Sequence, residues 1–200
     1  MPLKDGRYTG PLFRALNPVY AREPLSGLGA ELYGGRFNAK GTPALYTSLD
    51  PATALREANQ VGSLQPTILV SYKADLGPIF DTRDQDGLER YGTTAVMLAD
   101  PAWRMKMLDG QPVPTQNLAS ALITDGFAGL LIQSFAKGAS LSDLNIVLWA
   151  AAAAFAAFRI GKAEVFLLGA IEGLMLLIAA YVAHKTLDLV FPPDRPNADQ

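Results

Sequence analysis

Cysteine is absent from the 200-residue sequence, and histidine occurs once, as His184. The first absence excludes disulfides, thiolate nucleophiles and cysteine-held metals together. The second excludes a histidine-rich metal site, and a Ser-His-Asp triad would have to reach His184 in the apolar tail. No charge of one sign dominates. Lys and Arg number 17 against 19 Asp and Glu, a net charge of −2, so no bulk electrostatic attraction to nucleic acid is expected. Met1 to Leu16 carries Asp5, Arg7 and Arg14 and lacks the apolar core of a signal peptide. The expectation is a cytoplasmic protein that needs no metal.

Long apolar runs are missing from residues 1–143, where prolines, glycines and charges are spread throughout, but not from the rest. Ile146 to Phe158 is continuously apolar. A polar break at Arg159, Lys162 and Glu164 follows, then Val165 to Ala183 with Glu172 as its one charge. As a helix, the second run would extend about 28 Å, close to a bilayer core. Residues 146–183 are therefore a candidate membrane hairpin, which would attach the protein to the inner membrane. Glu172 opposes this, since a charge at the centre of a span costs about 2.5–3.5 kcal/mol. The alternatives are a helical pair packed on a partner or in an oligomer, or a fused or frame-shifted segment. The organisation expected is a catalytic domain over 1–149, an apolar helical tail over 150–190 and a polar, Pro-rich, disordered end over 191–200.

Within the first 149 residues, strands are expected at Phe13–Leu16, Ala44–Ser48, Thr67–Leu76, Ala128–Ile132 and Asn145–Trp149. The third alternates at period two, with Ile68, Val70, Tyr72, Ala74 and Leu76 on one side and Ser71, Lys73 and Asp75 on the other. Asp50-Pro51 starts a helix carrying Leu55 and Glu57. Thr115 is expected to cap another through Leu118 and Leu122, ended by Gly126. Gly34-Gly35 allows positive φ and leaves Arg36 open to a ligand. Gly27-Leu28-Gly29 is no dinucleotide fingerprint, because the third glycine and a preceding strand are missing. Short strands among helices indicate an α/β or α+β fold.

Five ordered segments resemble the RES domain family, the NAD⁺-degrading toxins of bacterial toxin–antitoxin systems. They are Phe13-Arg14-Ala15, the block Gly34-Gly35-Arg36-Phe37-Asn38-Ala39-Lys40-Gly41-Thr42-Pro43 with the strand after it, Ala54-Leu55-Arg56-Glu57, Gly126 to Ser134, and Asn145 to Trp149. The resemblance implies an α+β, ADP-ribosyltransferase-like fold, with a mixed or antiparallel sheet and flanking helices. It implies NAD⁺ cleavage with phosphate or water as acceptor, and a helix-turn-helix antitoxin of the Xre type as partner. The family's functional positions fall on Arg36, Tyr46, Glu57 and Ser134, with Arg14 a looser match. Such a domain normally closes with polar residues and one more short strand, where this chain begins its alanines.

The chemistry of NAD⁺ gives these residues roles. Breaking the bond to nicotinamide develops positive charge at the anomeric carbon, which a carboxylate stabilises; Glu57 is the matched acid. A guanidinium pairs two pyrophosphate oxygens at once, which suits Arg36 beside Gly35. Tyr46 would stack on nicotinamide or ribose and donate its hydroxyl, and Ser134 would hydrogen-bond the dinucleotide or the incoming phosphate. The same set would serve a protein ADP-ribosyltransferase. A third reading, from another class, is a membrane-anchored binding module without turnover.

Overall fold

The computed structural model describes residues 2–59 and 66–149, together with the backbone of 166–168. Six strands make up its mixed sheet: β1 (Tyr8–Leu16), β2 (Leu45–Ser48), β3 (Thr67–Leu76), β4 (Ile79–Asp81), β5 (Gly129–Gln133) and β6 (Leu144–Leu148). A short β7 (Phe166–Leu168) is added at one edge, giving the order β4-β5-β6-β2-β1-β3-β7. Every adjacent pair is antiparallel except β4 and β5. Among the described residues, six α-helices accompany the sheet: α1 (Leu28–Tyr33), α2 (Pro51–Ala58), α3 (Gln85–Arg90), α4 (Ala95–Ala99), α5 (Trp103–Leu108) and α6 (Pro114–Thr124). The α+β class expected from the sequence is the one observed.

The central strands are apolar on both faces because both faces are covered. On β6, Ile146 and Leu148 join one core with Leu12, Tyr72 and Leu131. Val147 and the following Trp149 join a second core with Leu130 of β5 and with Leu88, Leu98, Leu118 and Leu122 from α3, α4 and α6. The edge-side strand β3 keeps its period-two pattern. Val70, Tyr72, Ala74 and Leu76 are buried while Lys73 and Asp75 are exposed.

Asp50 caps α2 as its sequence predicts, with Oδ1 accepting from the backbone N–H of Ala52 at 2.9 Å and of Thr53 at 3.1 Å. Thr115 does not cap α6. Pro114 supplies the first helical position and Val113 precedes it, so Thr115 lies inside the first turn with its hydroxyl free for another partner. Gly126 closes α6 at φ 85°, and the Phe127 N–H returns to the Leu122 carbonyl at 2.9 Å. Several short elements, α1, α3, α4 and α5, arise where the sequence shows no sustained helical period.

The candidate hairpin is not helical wherever it can be described, and its first residues form the strand expected there. Ile146–Leu148 belong to β6 in the centre of the sheet, paired with both β2 and β5, so they are no part of a membrane hairpin. Phe166–Leu168 form a strand rather than a helix, pairing antiparallel with Thr67–Leu69. The physical reason is the outer edge of β3, whose exposed N–H and C=O groups are satisfied by an added strand; a short apolar run fits either element. Among the described residues no helix is long and apolar enough to cross a membrane. The remainder of the apolar tail and the polar end lie outside the described residues.

The cap on α2 yields a stability expectation. Asp50→Ala removes an acceptor shared by two orphan N–H groups, and should lower the unfolding free energy by about 1 kcal/mol. The measurement is a urea unfolding curve, and an unchanged midpoint would show that the cap contributes nothing.

Candidate active site

A cleft of about 730 Å³ opens over β1, β2 and β6, between α2 on one side and the Gly34–Arg36 turn with α5 on the other. Its volume lies in the range of about 300–1,000 Å³ typical of small-molecule sites. Five of the residues singled out in the sequence line it: Arg14, Gly35, Arg36, Tyr46 and Glu57. Ser134 lies behind the wall, 3% exposed.

The turn from Gly35 to Asn38 presents Arg36. Gly34 adopts φ 73°, and the Gly35 N–H donates to the Asn38 carbonyl at 2.9 Å. A side chain at Gly35 is excluded by space, since a Cβ there would meet the Tyr46 hydroxyl and Asn38 Oδ1. Side chains from distant elements take the turn's backbone groups. Gln116 Nε2 donates to the Gly35 carbonyl at 2.8 Å and Thr115 Oγ1 to the Arg36 carbonyl at 2.5 Å. The Phe37 N–H donates to the Tyr46 hydroxyl at 3.0 Å, and Trp149 Nε1 donates to the Phe37 carbonyl at 2.7 Å.

Arg36 is therefore half-buried rather than freely exposed. Its Nη1 donates to the Leu98 carbonyl at 2.8 Å, and its guanidinium carbon lies 4.6 Å from the Phe135 ring centroid and 5.6 Å from that of Trp103. Burial lowers its pKa from the ordinary arginine value, against the opposing influence of Glu57 and Asp100. Arginine stays charged at any physiological pH, so this guanidinium is a fixed, partly dehydrated cation. Arg14 is tethered more fully, its Nη1 donating to the Pro24 and Ser26 carbonyls at 3.0 Å each. It anchors the loop after β1.

Glu57 projects from the last turn of α2. Its Oε1 accepts from Ser134 Oγ at 2.5 Å and from Asn145 Nδ2 at 2.7 Å. Asn145 Oδ1 in turn accepts from Ser48 Oγ at 2.7 Å, and Ser48 is its register partner across β2 and β6. Ser134 also accepts from the Ala136 N–H at 3.2 Å. The serine's hydroxyl thus orients the carboxylate instead of lining the cleft. Asn145 is a site residue that its place in the strand candidate did not reveal as such. The available signal is a carboxamide within the apolar stretch Leu144 to Trp149, where a polar side chain needs hydrogen-bond partners.

Tyr46 likewise differs from its expected role. Its hydroxyl accepts from Phe37 and donates to Asn38 Oδ1 at 2.8 Å, while Asn38 Nδ2 donates to the Ala30 and Thr42 carbonyls. Burial raises the phenol's pKa well above its ordinary value, which keeps the proton in this network. The hydroxyl is committed inside the protein and the ring remains as part of the cleft wall. Trp103, Arg104 and Phe135 complete the wall, none of them marked by a sequence pattern.

Tyr46→Phe should therefore act on stability first. It leaves the Phe37 N–H and the side-chain Oδ1 of Asn38 without their shared partner, an expected loss of about 1–3 kcal/mol. Urea unfolding measures it, and retention of the wild-type midpoint would show the turn does not depend on the hydroxyl.

Comparisons with known proteins agree with this architecture. No curated protein matches the chain. Among solved structures, a chain in the crystal structure of the M. tuberculosis MbcT-MbcA toxin-antitoxin complex has a similar fold. The TM-score is 0.57 at 18% sequence identity, covering 80% of this chain and 86% of that one. The family model for the RES domain matches residues 11–168, from β1 to the last residue of β7. That span takes in every described residue that lines the cleft, and the chain belongs to the RES domain family.

Proposed function

We propose that this protein cleaves NAD⁺ at the bond between ribose and nicotinamide, transferring the ADP-ribosyl group to phosphate or water. The observation that carries the reading is the placement of Glu57 and Arg36 on one cleft, the carboxylate oriented by Ser134 and Asn145 and the guanidinium held by Leu98 and two aromatic rings. As the glycosidic bond breaks, its electron pair passes to the nicotinamide ring nitrogen and neutralises it. The anomeric carbon becomes electron-poor, and the carboxylate stabilises it. An oxygen of phosphate or water then bonds to that carbon, water losing a proton in the process. Arg36 binds the pyrophosphate, Gly35 allows close approach, and the Tyr46 ring forms a flat wall for the base or sugar. This requires no metal.

The same reading makes the protein a toxin that depletes NAD⁺ in the cytoplasm, held in check by an antitoxin. Support comes from the family and from the neighbouring fold, which was crystallised as a toxin–antitoxin complex. An Xre-type helix-turn-helix protein is the partner proposed. Incubation of the purified chain with NAD⁺, with and without phosphate, tests the activity. Free ADP-ribose or its 1″-phosphate supports the reading, labelled protein would indicate ADP-ribosyl transfer to a protein, and intact NAD⁺ would reject the enzyme altogether.

Two substitutions examine the roles. Glu57→Gln keeps an oxygen able to accept from Ser134 and Asn145 but removes the charge. It should retain less than about a tenth of the wild-type rate, a barrier increase above 1.4 kcal/mol; faster turnover, with folding checked by circular dichroism, would remove Glu57 from the centre of the mechanism. Arg36→Lys keeps the charge and loses the fork and the flat stacking surface. Affinity for NAD⁺ should fall by about tenfold or more, as for loss of a charge-assisted hydrogen bond, and calorimetric titration giving equal affinities would move the pyrophosphate elsewhere.

A further inference from the structure

Arg104 follows Trp103 in the cleft wall and has no role in the reading above. Its guanidinium carbon is 5.1 Å from the Trp103 ring centroid, and that of Arg36 is 5.6 Å from the same ring. Both distances are within cation–π reach, so a single indole serves as platform for two cations. The ion pairs of the described residues involve neither arginine. Asp100, the acid next to α5, is engaged by Lys106 Nζ at 2.6 Å. The positive charge of Arg104 is felt at Arg36, where it adds to the lowering of the pKa. Two like charges are thus held close together at one wall of a cleft, in a chain whose net charge is −2.

We infer that Arg104 and Arg36 form a two-arginine grip for phosphoryl oxygens, with Trp103 holding both guanidinium groups toward the cleft. Each planar fork engages two oxygens of a phosphoryl group, and an anion between the forks relieves their mutual repulsion. Arg36 is the inner, fixed member. Arg104, exposed at the rim, is the member that closes on the ligand. Two sources would supply this chemistry, the pyrophosphate of a dinucleotide and free phosphate arriving as acceptor. The grip itself stands on the two arginines, and its natural ligand rests on the NAD⁺ reading.

Calorimetric titration of the full chain and of Arg104→Gln and Arg104→Lys with inorganic pyrophosphate, orthophosphate and NAD⁺ tests it. Loss of one charge-assisted fork should weaken pyrophosphate and NAD⁺ binding by about tenfold in the Gln variant and less in the Lys variant. Trp103 fluorescence should respond to pyrophosphate in the wild type and less in Arg104→Gln; Trp149, buried against Phe37, supplies a constant background. A loss confined to orthophosphate would assign the grip to the acceptor. Unchanged affinity for all three ligands in a folded Arg104→Gln protein overturns the grip. Arg104-dependent pyrophosphate binding by a wild type that neither binds nor cleaves NAD⁺ would keep the grip and reject the dinucleotide reading.

Discussion

The turn between Gly35 and Asn38 holds the cleft together, because it is irregular backbone that must be buried without a ladder of its own. Buried peptide groups lacking partners are costly. Here the partners come from far along the chain: Gln116 and Thr115 from α6, Tyr46 from β2, and Trp149 from just beyond β6. Each of these contacts ties the position of Arg36 to an element of the second core. The turn therefore has its shape only once α6 has packed on the sheet and β6 has paired with β2. This also explains the glycine at position 35, since the Tyr46 hydroxyl occupies the space a Cβ would need.

Glu57 reaches the cleft by the opposite strategy. It sits on a regular helix, capped by Asp50 and seated over β1 and β2, and needs only one side-chain network to fix its head group. The network runs from Ser48 through Asn145 to the carboxylate, with Ser134 on the same oxygen. Cross-strand register makes it: Ser48 and Asn145 face each other across β2 and β6, and Ser134 follows the end of β5, its N–H bonded to the Asp143 carbonyl at 2.7 Å. The acid is thus aimed by three central strands whose spacing is set by the backbone ladder, while the arginine opposite is aimed by side chains filling a core.

That contrast explains what the sequence disclosed. The cap at Asp50, the alternation of β3 and the apolar strands β5 and β6 are local patterns, and local patterns survive in sequence. Arg36, Tyr46, Glu57 and Arg14 were legible through ordered segments, and all four line one cleft. The tasks of Tyr46 and Ser134 were not, because a hydroxyl's partner depends on which distant group arrives beside it. Thr115 illustrates the same limit. Its residue type and place before an apolar helix suit a cap, yet Pro114 takes the first helical position and the hydroxyl bonds Arg36, 79 positions away. Arg104 and Trp103 stand in a short helix with no distinguishing period, and gain their meaning from α5 lying beside the turn.

The arrangement has an electrostatic consequence for the cleft. Among the described lining residues, Arg14, Arg36 and Arg104 face one carboxylate, Glu57. Half-burying Arg36 with no ion pair among the described residues costs hydration that the Leu98 carbonyl and two aromatic faces return only in part. Removing Arg36 from solvent would be wasteful in a purely structural residue, for which a pairing acid or an apolar side chain would serve better. It is coherent in a binding residue, because dehydration and fixed geometry are then complete before the anion arrives, and less is lost to ordering on binding. The neighbouring Lys106–Asp100 pair reinforces this, since an acid left free at that position would compete for the same guanidinium groups. Anion binding would then compensate charge that Glu57 and Asp100 offset only in part, and would stabilise the native state by the free energy of that binding.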